Sequence, residues 1–345
     1  MKIKILSTLT LVTGGIFLCS TLAGWMNKPA PASPEVIKQS VAKSLLLLQQ
    51  SGYIFTNNTR FKCASCHHNL LTSIAAGLAR EKGIPLVDSF TAYRIKSTEN
   101  TLKEMGNPNL VNQFLNANFV APYFLLALNA EKYPPSIYTD LAVDYLMSQA
   151  EPDGSFLTES FRAPLEAGDV HLTAMAIRAI QLYASAAKKQ YVNELVVRTR
   201  QWLEKIHTGQ QQELAFQLLG LQWCGSDNNY KTKVAKQLRD MQNEDGGWSQ
   251  LPNMKSDAYA TGQTLCALYE SGMEKTTNEM YQKGLDYLLK TQDDQGAWFV
   301  ATRSFPIQPF IDSEFPPYDD NQFISATATN WAVMALLNAL PNKTN

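Results

Sequence analysis

Gln242-Asn-Glu-Asp-Gly246-Gly-Trp248 and Gln292-Asp-Asp-Gln-Gly296-Ala-Trp298 decide the reading of this chain. Both read Q-x-x-x-G-x-W. A looser copy, Gln149 to Phe156, is one residue longer and ends in Phe, and Gln49 to Phe55 is a decayed one. In each, glycine suits a reversal at positive φ. The glutamine can cap exposed carbonyls at a helix end, and the aromatic ring can pack down on the next repeat. These residues read as structural staples.

Around these turns only helices are expected. Apolar positions recur at i, i+3, i+4 and i+7, punctuated by Gly, Pro and Asn. Ser33-Pro34-Glu35 reads as a helix start with proline at the first position. Thr276 and Glu279 read as a capping box. The helices alternate in character. An amphipathic set falls at about 36–50, 88–105, 136–149, 189–207, 228–242 and 277–291. A second set, apolar nearly all round, falls at about 66–82, 118–131, 168–185, 211–224, 257–271 and 324–339. A helix apolar on every side is buried on every side. The spacing is that of a helix-pair repeat. Six half-exposed helices alternating with six buried ones predict an all-α, α/α toroid of two concentric rings, with an open solenoid as the alternative.

The chain has 345 residues, 45% apolar and 18% charged, with a formal net charge of −1. That supports a sizeable globular core and, with no block of like charge, argues against nucleic acid as the partner. Residues 1–24 read as a secretory signal: Lys2 and Lys4, an apolar run from Ile5 to Leu18, then small residues at Ala23 and Gly24. An uncleaved anchor is the alternative and the one expected route to a membrane; a lipoprotein reading of Cys19 is weak. Residues 25–35 read as a linker, 36–340 as the toroid and 341–345 as a tail. The expected location is periplasmic or otherwise extracytoplasmic, in a bacterium.

The strongest chemical motif is Cys63-Ala-Ser-Cys66-His67, a C-x-x-C-H. It predicts covalent attachment of one haem c, the thiols taking the two vinyl groups and His67 lying under the iron as proximal ligand. The apolar run Leu70 to Leu78 puts the motif at the start of a helix. A zinc site would need further spaced ligands, a thioredoxin-like pair a nearby βαβ pattern, and neither is evident. A plain Cys63–Cys66 disulfide remains an alternative. Cys224 and Cys266 read as buried thiols.

The Q-x-x-x-G-x-W turns at this spacing resemble those of squalene-hopene cyclases and prenyltransferase β-subunits, over about Val36 to Leu340. With its C-x-x-C-H in the first repeat, and with Ser256 to Gln263, Gln308 to Ile311 and Gln322 to Trp331, the chain is more closely similar to a bacterial group of exported squalene-cyclase-like proteins carrying that motif. The resemblance implies the toroid fold, and a cavity able to take an isoprenoid-like molecule. Class II cyclases carry D-x-D-D at an inner-helix start, and none occurs here. At the equivalent starts stand Asp169-Val-His171-Leu-Thr173 and Asp257-Ala-Tyr259-Ala-Thr261, with His171 and Tyr259 where the resemblance places the proton-donating Asp. Asp319-Asp320 lies in a Pro-rich loop without cyclase-like spacing, and the zinc set of prenyltransferases has no match.

In such a toroid all inner-helix starts share one face. His171 is therefore the leading expected sixth iron ligand, with His68, Met254, His207 or an open, water-holding site as alternatives. A hydrogen-bonded pocket histidine is the plainer reading of His171, and a cation near a helix C-terminus that of His207. Tyr259, Asp257, Thr261 and Gln263 are candidates to contact haem propionates or a ligand. Phe119, Tyr123, Phe124, Phe216, Trp223 and Trp331 would line an apolar cavity, most of them as core. The expected activity is electron transfer or haem-based redox chemistry, with an electron-transfer protein or a small apolar molecule as partner. The competing expectations are a terpenoid cyclase or isomerase using another acid, such as Asp257, and a haem-free apolar-ligand binding module.

Overall fold

The apolar-all-round sequences close into an inner ring. The computed structural model describes residues 31–59, 62–105, 117–158, 162–305 and 311–342, so the expected signal segment and most of the linker lie outside the described residues. The outer helices are α1 (Pro34–Asn58), α3 (Asp88–Met105), α5 (Ile137–Ser148), α7 (Lys189–Lys205), α9 (Asn228–Asp240) and α11 (Glu279–Thr291). The inner helices are α2 (Leu71–Glu81), α4 (Ala117–Ala130), α6 (Asp169–Tyr183), α8 (Gln211–Trp223), α10 (Ala258–Glu270) and α12 (Gln322–Asn338). Each inner helix packs on the next, and α12 returns to pack on α2. The chain is thus an α/α toroid, and no β-sheet occurs among the described residues. Among them, too, no helix is long and apolar enough to cross a membrane.

Composition explains the split into rings. Every residue of α12 from Ile324 to Leu337 is buried, because small residues alternate there with Ile, Trp, Val, Met and Leu. In α9, by contrast, only Lys231, Val234, Ala235 and Leu238 are buried, a single stripe facing inward.

The turn signature does what its chemistry allows, with one difference. Gly246 and Gly296 adopt φ of +88° and +94°. Trp248 Nε1 donates to the carbonyl of Leu238 (2.6 Å) and Trp298 Nε1 to that of Leu288 (2.7 Å), each closing its ring over the preceding outer helix. The glutamine does not cap its own helix end. Gln242 Nε2 donates to the Gly246 carbonyl and across to Met280 of α11. Gln292 Nε2 donates to Gly296 and across to Ser40 and Ser44 of α1. Each staple reaches forward to the following outer helix, and the last one closes the ring onto the first.

Two local expectations fail. The decayed turn at Gln49 to Phe55 is not a turn: α1 continues to Asn58, and Gln49 Nε2 donates to Leu45 within the same helix. Thr276 forms no capping box, since α11 begins after Asn278 and Thr276 instead offers its carbonyl to Gln282. The Ser33 cap is realised, its hydroxyl accepting from Val36 N.

Candidate functional site

The C-x-x-C-H loop follows the long first helix and enters α2 through a widened turn, Cys66–Leu70. Four of its backbone donors are met by side chains. Cys63 N donates to Thr59 Oγ1 (2.9 Å), Ala64 N to Thr101 Oγ1 (3.0 Å) and Ser65 N to Asn69 Oδ1 (2.9 Å). His68 N donates to Ser65 Oγ (3.1 Å), an N-terminal cap. Asn69 is itself anchored to Gly52 of α1 (3.1 Å), and Asn330 of α12 holds the carbonyl of His67 (3.3 Å). A loop satisfied in this way is pre-organised.

Those thiols are free, Cys63 half-buried and Cys66 buried. Burial pushes both up from the ordinary thiol range, with Glu104 adding to the effect at Cys63 and Glu166 at Cys66. The His67 ring stacks on Phe323 at 4.6 Å and meets Phe55 edge-on at 5.1 Å. Its Nδ1 faces Ser65 Oγ and Nδ1 of His68, while no hydrogen bond from the described residues engages its Nε2. Burial, and then the nearby Arg162 guanidinium, push its pKa down to about 3, so the imidazole is neutral.

Cys63, Cys66 and His67 lie along one wall of a cavity of about 370 Å³, within the range of small-molecule sites. The other walls include Phe55, Val120, Phe124, Leu165, Phe323 and Ile324, with Arg162, Glu166, Thr101 and Ser304 supplying polar groups. Among the described residues lining it, His67 is the one histidine, and there is no methionine. No group of three or more His, Cys, Asp or Glu side chains among the described residues is set to hold a metal ion.

His171 does not reach this cavity. It is fully buried in α6, stacked on Phe216 at 3.8 Å and edge-on to Phe119 at 5.0 Å. Tyr123 Oη lies 3.1 Å from its Nε2 and Gln212 Nε2 lies 3.3 Å from its Nδ1. The plainer reading, a hydrogen-bonded buried histidine, describes this environment. Burial lowers its pKa to about 3, against a smaller opposite pull from the Ala167 carbonyl. Tyr259 joins the same network by donating to Gln212 Oε1 (2.7 Å). Asp257 is the N-cap of α10, accepting from Ala260 N (2.8 Å) and from Gln250 Nε2 (2.9 Å). Burial pushes its carboxyl up to about 6, against the pull of those hydrogen bonds. The six residues singled out from sequence therefore fall into two places: Cys63, Cys66 and His67 at the cavity, and His171, Tyr259 and Asp257 in a separate polar belt among inner helices.

The other expected contacts are structural. Thr261 Oγ1 accepts from Trp248 N (2.9 Å), and Thr173 and Thr329 do the same for Phe156 and Trp298. Gln263 and Met254 do not line the cavity, and His68 is sealed against Phe55 at 5.0 Å. Phe119, Tyr123 and Phe216 fill the toroid centre and only Phe124 of the expected aromatic set borders the cavity. Trp223 instead reaches outward to Glu270 (2.6 Å).

Two residues at the cavity carry no sequence signal. Arg162 and Glu166 face each other across a tight connection, Arg162 Nε donating to Glu166 Oε2 at 2.7 Å and Nη2 to the same oxygen. Their i, i+4 spacing suggests a helix pair, yet Pro164 and Gly168 keep the segment irregular. Glu213 is the other unforeseen group. Its carboxylate accepts from Val170 N at the start of α6 (3.2 Å), and burial pushes it up to about 7.

No family model matches the chain. Among solved structures it is similar to the type II terpene cyclase MstE from Scytonema: 14% identity, TM-score 0.58, covering 88% of this chain and 99% of that one. MstE has also been captured with its substrate geranylgeranyl dihydroxybenzoate (14% identity, TM-score 0.56, 89% and 98%). A glycosidase variant in complex with glucose matches at 12% identity and TM-score 0.54, covering 88% and 99%. At such identity the likeness is one of fold, a toroid that hosts unrelated chemistries.

Proposed function

We propose that this chain is an exported c-type haem protein built on a cyclase-like toroid. One haem is held by thioether bonds to Cys63 and Cys66, with His67 as the iron's protein ligand. The observation that carries this reading is the shared wall: two uncommitted thiols and a neutral imidazole, all on one pre-organised loop, border one largely apolar cavity. The donor set fits the group. The thiols are free to react, Nε2 of His67 is free to ligate, and Phe55 and Phe323 fix its ring plane. Bound there, haem supplies one-electron or small-ligand chemistry. The chain's own residues anchor it, shield it with Phe55, Phe124, Phe323 and Ile324, and set its potential through burial. Export agrees with this reading, since c-type haem in bacteria is attached after export. The partner is an electron-transfer protein or a small apolar molecule.

The likeness in fold favours a second reading, an isoprenoid-type ligand or a cyclisation with an acid other than D-x-D-D. Asp257 is the candidate acid, its pKa raised to about 6. Both its oxygens are taken by helix capping and Gln250, and Phe119, His171 and Phe216 fill the ring centre. Expression with the c-type maturation machinery separates the two. The haem reading expects coloured protein from the wild type and none from Cys63→Ala/Cys66→Ala. Colourless wild-type protein that turns over polyprenyl substrates, with or without the cysteines, would replace it by the cyclase reading.

A further inference from the structure

The cavity that holds Cys63, Cys66 and His67 is asymmetric. One wall is the C-x-x-C-H loop. Facing the same space stands the connection from Arg162 to Gly168, fixed by Ser304 Oγ donating to the Ala163 carbonyl and by Glu166 N donating to the Arg162 carbonyl (2.9 Å). It presents an ion pair whose side chains are only 20% and 12% exposed. Partly buried pairs keep their charge-assisted geometry better than solvated ones. Glu166 occupies Nε and Nη2 of Arg162, and no described residue accepts from Nη1. A guanidinium carries five donors, so Arg162 retains hydrogen-bonding capacity next to the cavity while Glu166 holds it in place.

Among the described residues, no further side chain suited to a strong iron bond borders this space. The described lining residues offer no further histidine, no methionine and no lysine. His171, the expected sixth ligand, has both ring nitrogens within hydrogen-bond distance of Tyr123 and Gln212. His68, sealed between aromatic rings, does not border the cavity.

We infer that this cavity is a small-ligand site and that Arg162, positioned by Glu166, is its specificity-determining donor for a small anionic or strongly hydrogen-bonding molecule. The inference rests on the haem reading above. It replaces a closed, bis-ligated electron carrier by a site that admits an exogenous ligand. The chemical class is set by the donor: a compact species accepting a charge-assisted hydrogen bond from a guanidinium, such as a halide or a peroxide-sized oxygen ligand.

The test uses fluoride as the probe, read by the ferric spectrum of haem-loaded wild type, Arg162→Leu and Arg162→Lys, with haem content checked by pyridine haemochrome. A high-spin ferric wild type that binds fluoride is expected. In Arg162→Leu fluoride binding should weaken by about ten-fold or more at unchanged haem content, with partial recovery in Arg162→Lys. Imidazole, which accepts no such bond, serves as control and should bind both variants as it does the wild type. A low-spin, six-coordinate wild type would overturn the inference and leave the haem reading standing. Equal fluoride affinity in wild type and Arg162→Leu would do the same. Wild-type protein without haem would overturn both.

Discussion

Glu213 sits at the start of α8 with its carboxylate turned to the first turn of α6, in a setting that favours its protonated form. Its pKa, pushed up to about 7 by burial, lies above its usual value of 4.5. The folded state therefore binds more protons than the unfolded chain between those values. Stability contributed by the protonated form is complete below pH 4.5 and is lost as pH rises through 7. Asp257, raised to about 6, acts in the same direction over a lower window. Glu213→Gln keeps an acceptor for Val170 N and removes the titration. We expect denaturant unfolding of the wild type to weaken by roughly 1–3 kcal/mol between pH 5 and pH 8, and that of the variant to weaken less. Equal losses would show that Glu213 is not responsible. At this scale the sequence is informative only where chemistry is local. Cys63, Cys66 and His67 are legible as one group because they are neighbours in the chain, and they line one cavity. Arg162 and Glu166 are not, because a proline-containing connection brings them to the cavity from 96 and 100 residues beyond Cys66 in the chain. The orientation of His171 is not legible either: it depends on Phe119 and Phe216, which arrive from α4 and α8.

The helices are where sequence and structure agree best, since burial on all sides and burial on one stripe leave different periodicities. The bounds of α3 are met at both ends, and those of α10 and α11 fall within two residues of expectation. Where the reading fails, a tertiary contact has overridden a local signal: Gln49 to Phe55 stays helical because α1 packs along the C-x-x-C-H turn, with Asn69 reaching back to Gly52 and Thr56. Close packing between inner helices carries its own prediction. Gly262 of α10 lies against Trp331 of α12, and a Cβ there would come within 2.6 Å of the Trp331 carbonyl carbon and 2.8 Å of Ala332 N. Backbone cannot yield as a side chain does, so Gly262→Ala should cost about 1–3 kcal/mol despite the better helix propensity of alanine. Urea unfolding of the variant beside the wild type measures it, and a variant as stable as the wild type would mean that α10 and α12 separate freely.

The ring closes through α12, which packs on α2 and α1, and through Gln292, which ties the last turn to Ser40 and Ser44 of the first helix. Lys82 Nζ adds a bond to the Leu340 carbonyl at 2.8 Å. Gln292→Ala removes the donor that serves Ser40 and Ser44 across this seam and Gly296 in its own turn, and should lower stability by about 1–3 kcal/mol. Because the seam joins both ends of one inner ring, circular dichroism and tryptophan fluorescence should still report a single shifted transition. Two separated transitions would mean that the repeats near α12 unfold independently. The toroid itself was legible because six helix pairs of matching character leave few other ways to bury the apolar set. What the toroid does was not, because its cavity is shaped by irregular connections. The central claim is that the cavity beside Cys63, Cys66 and His67 holds a covalently attached haem. The measurement that bears on it most directly is a pyridine haemochrome spectrum of wild-type protein, expressed with the c-type maturation machinery and denatured and extracted with acidic acetone. One haem per chain, retained by the protein through extraction, is the expected result. A protein that releases its haem to the acetone, or carries none, would contradict it.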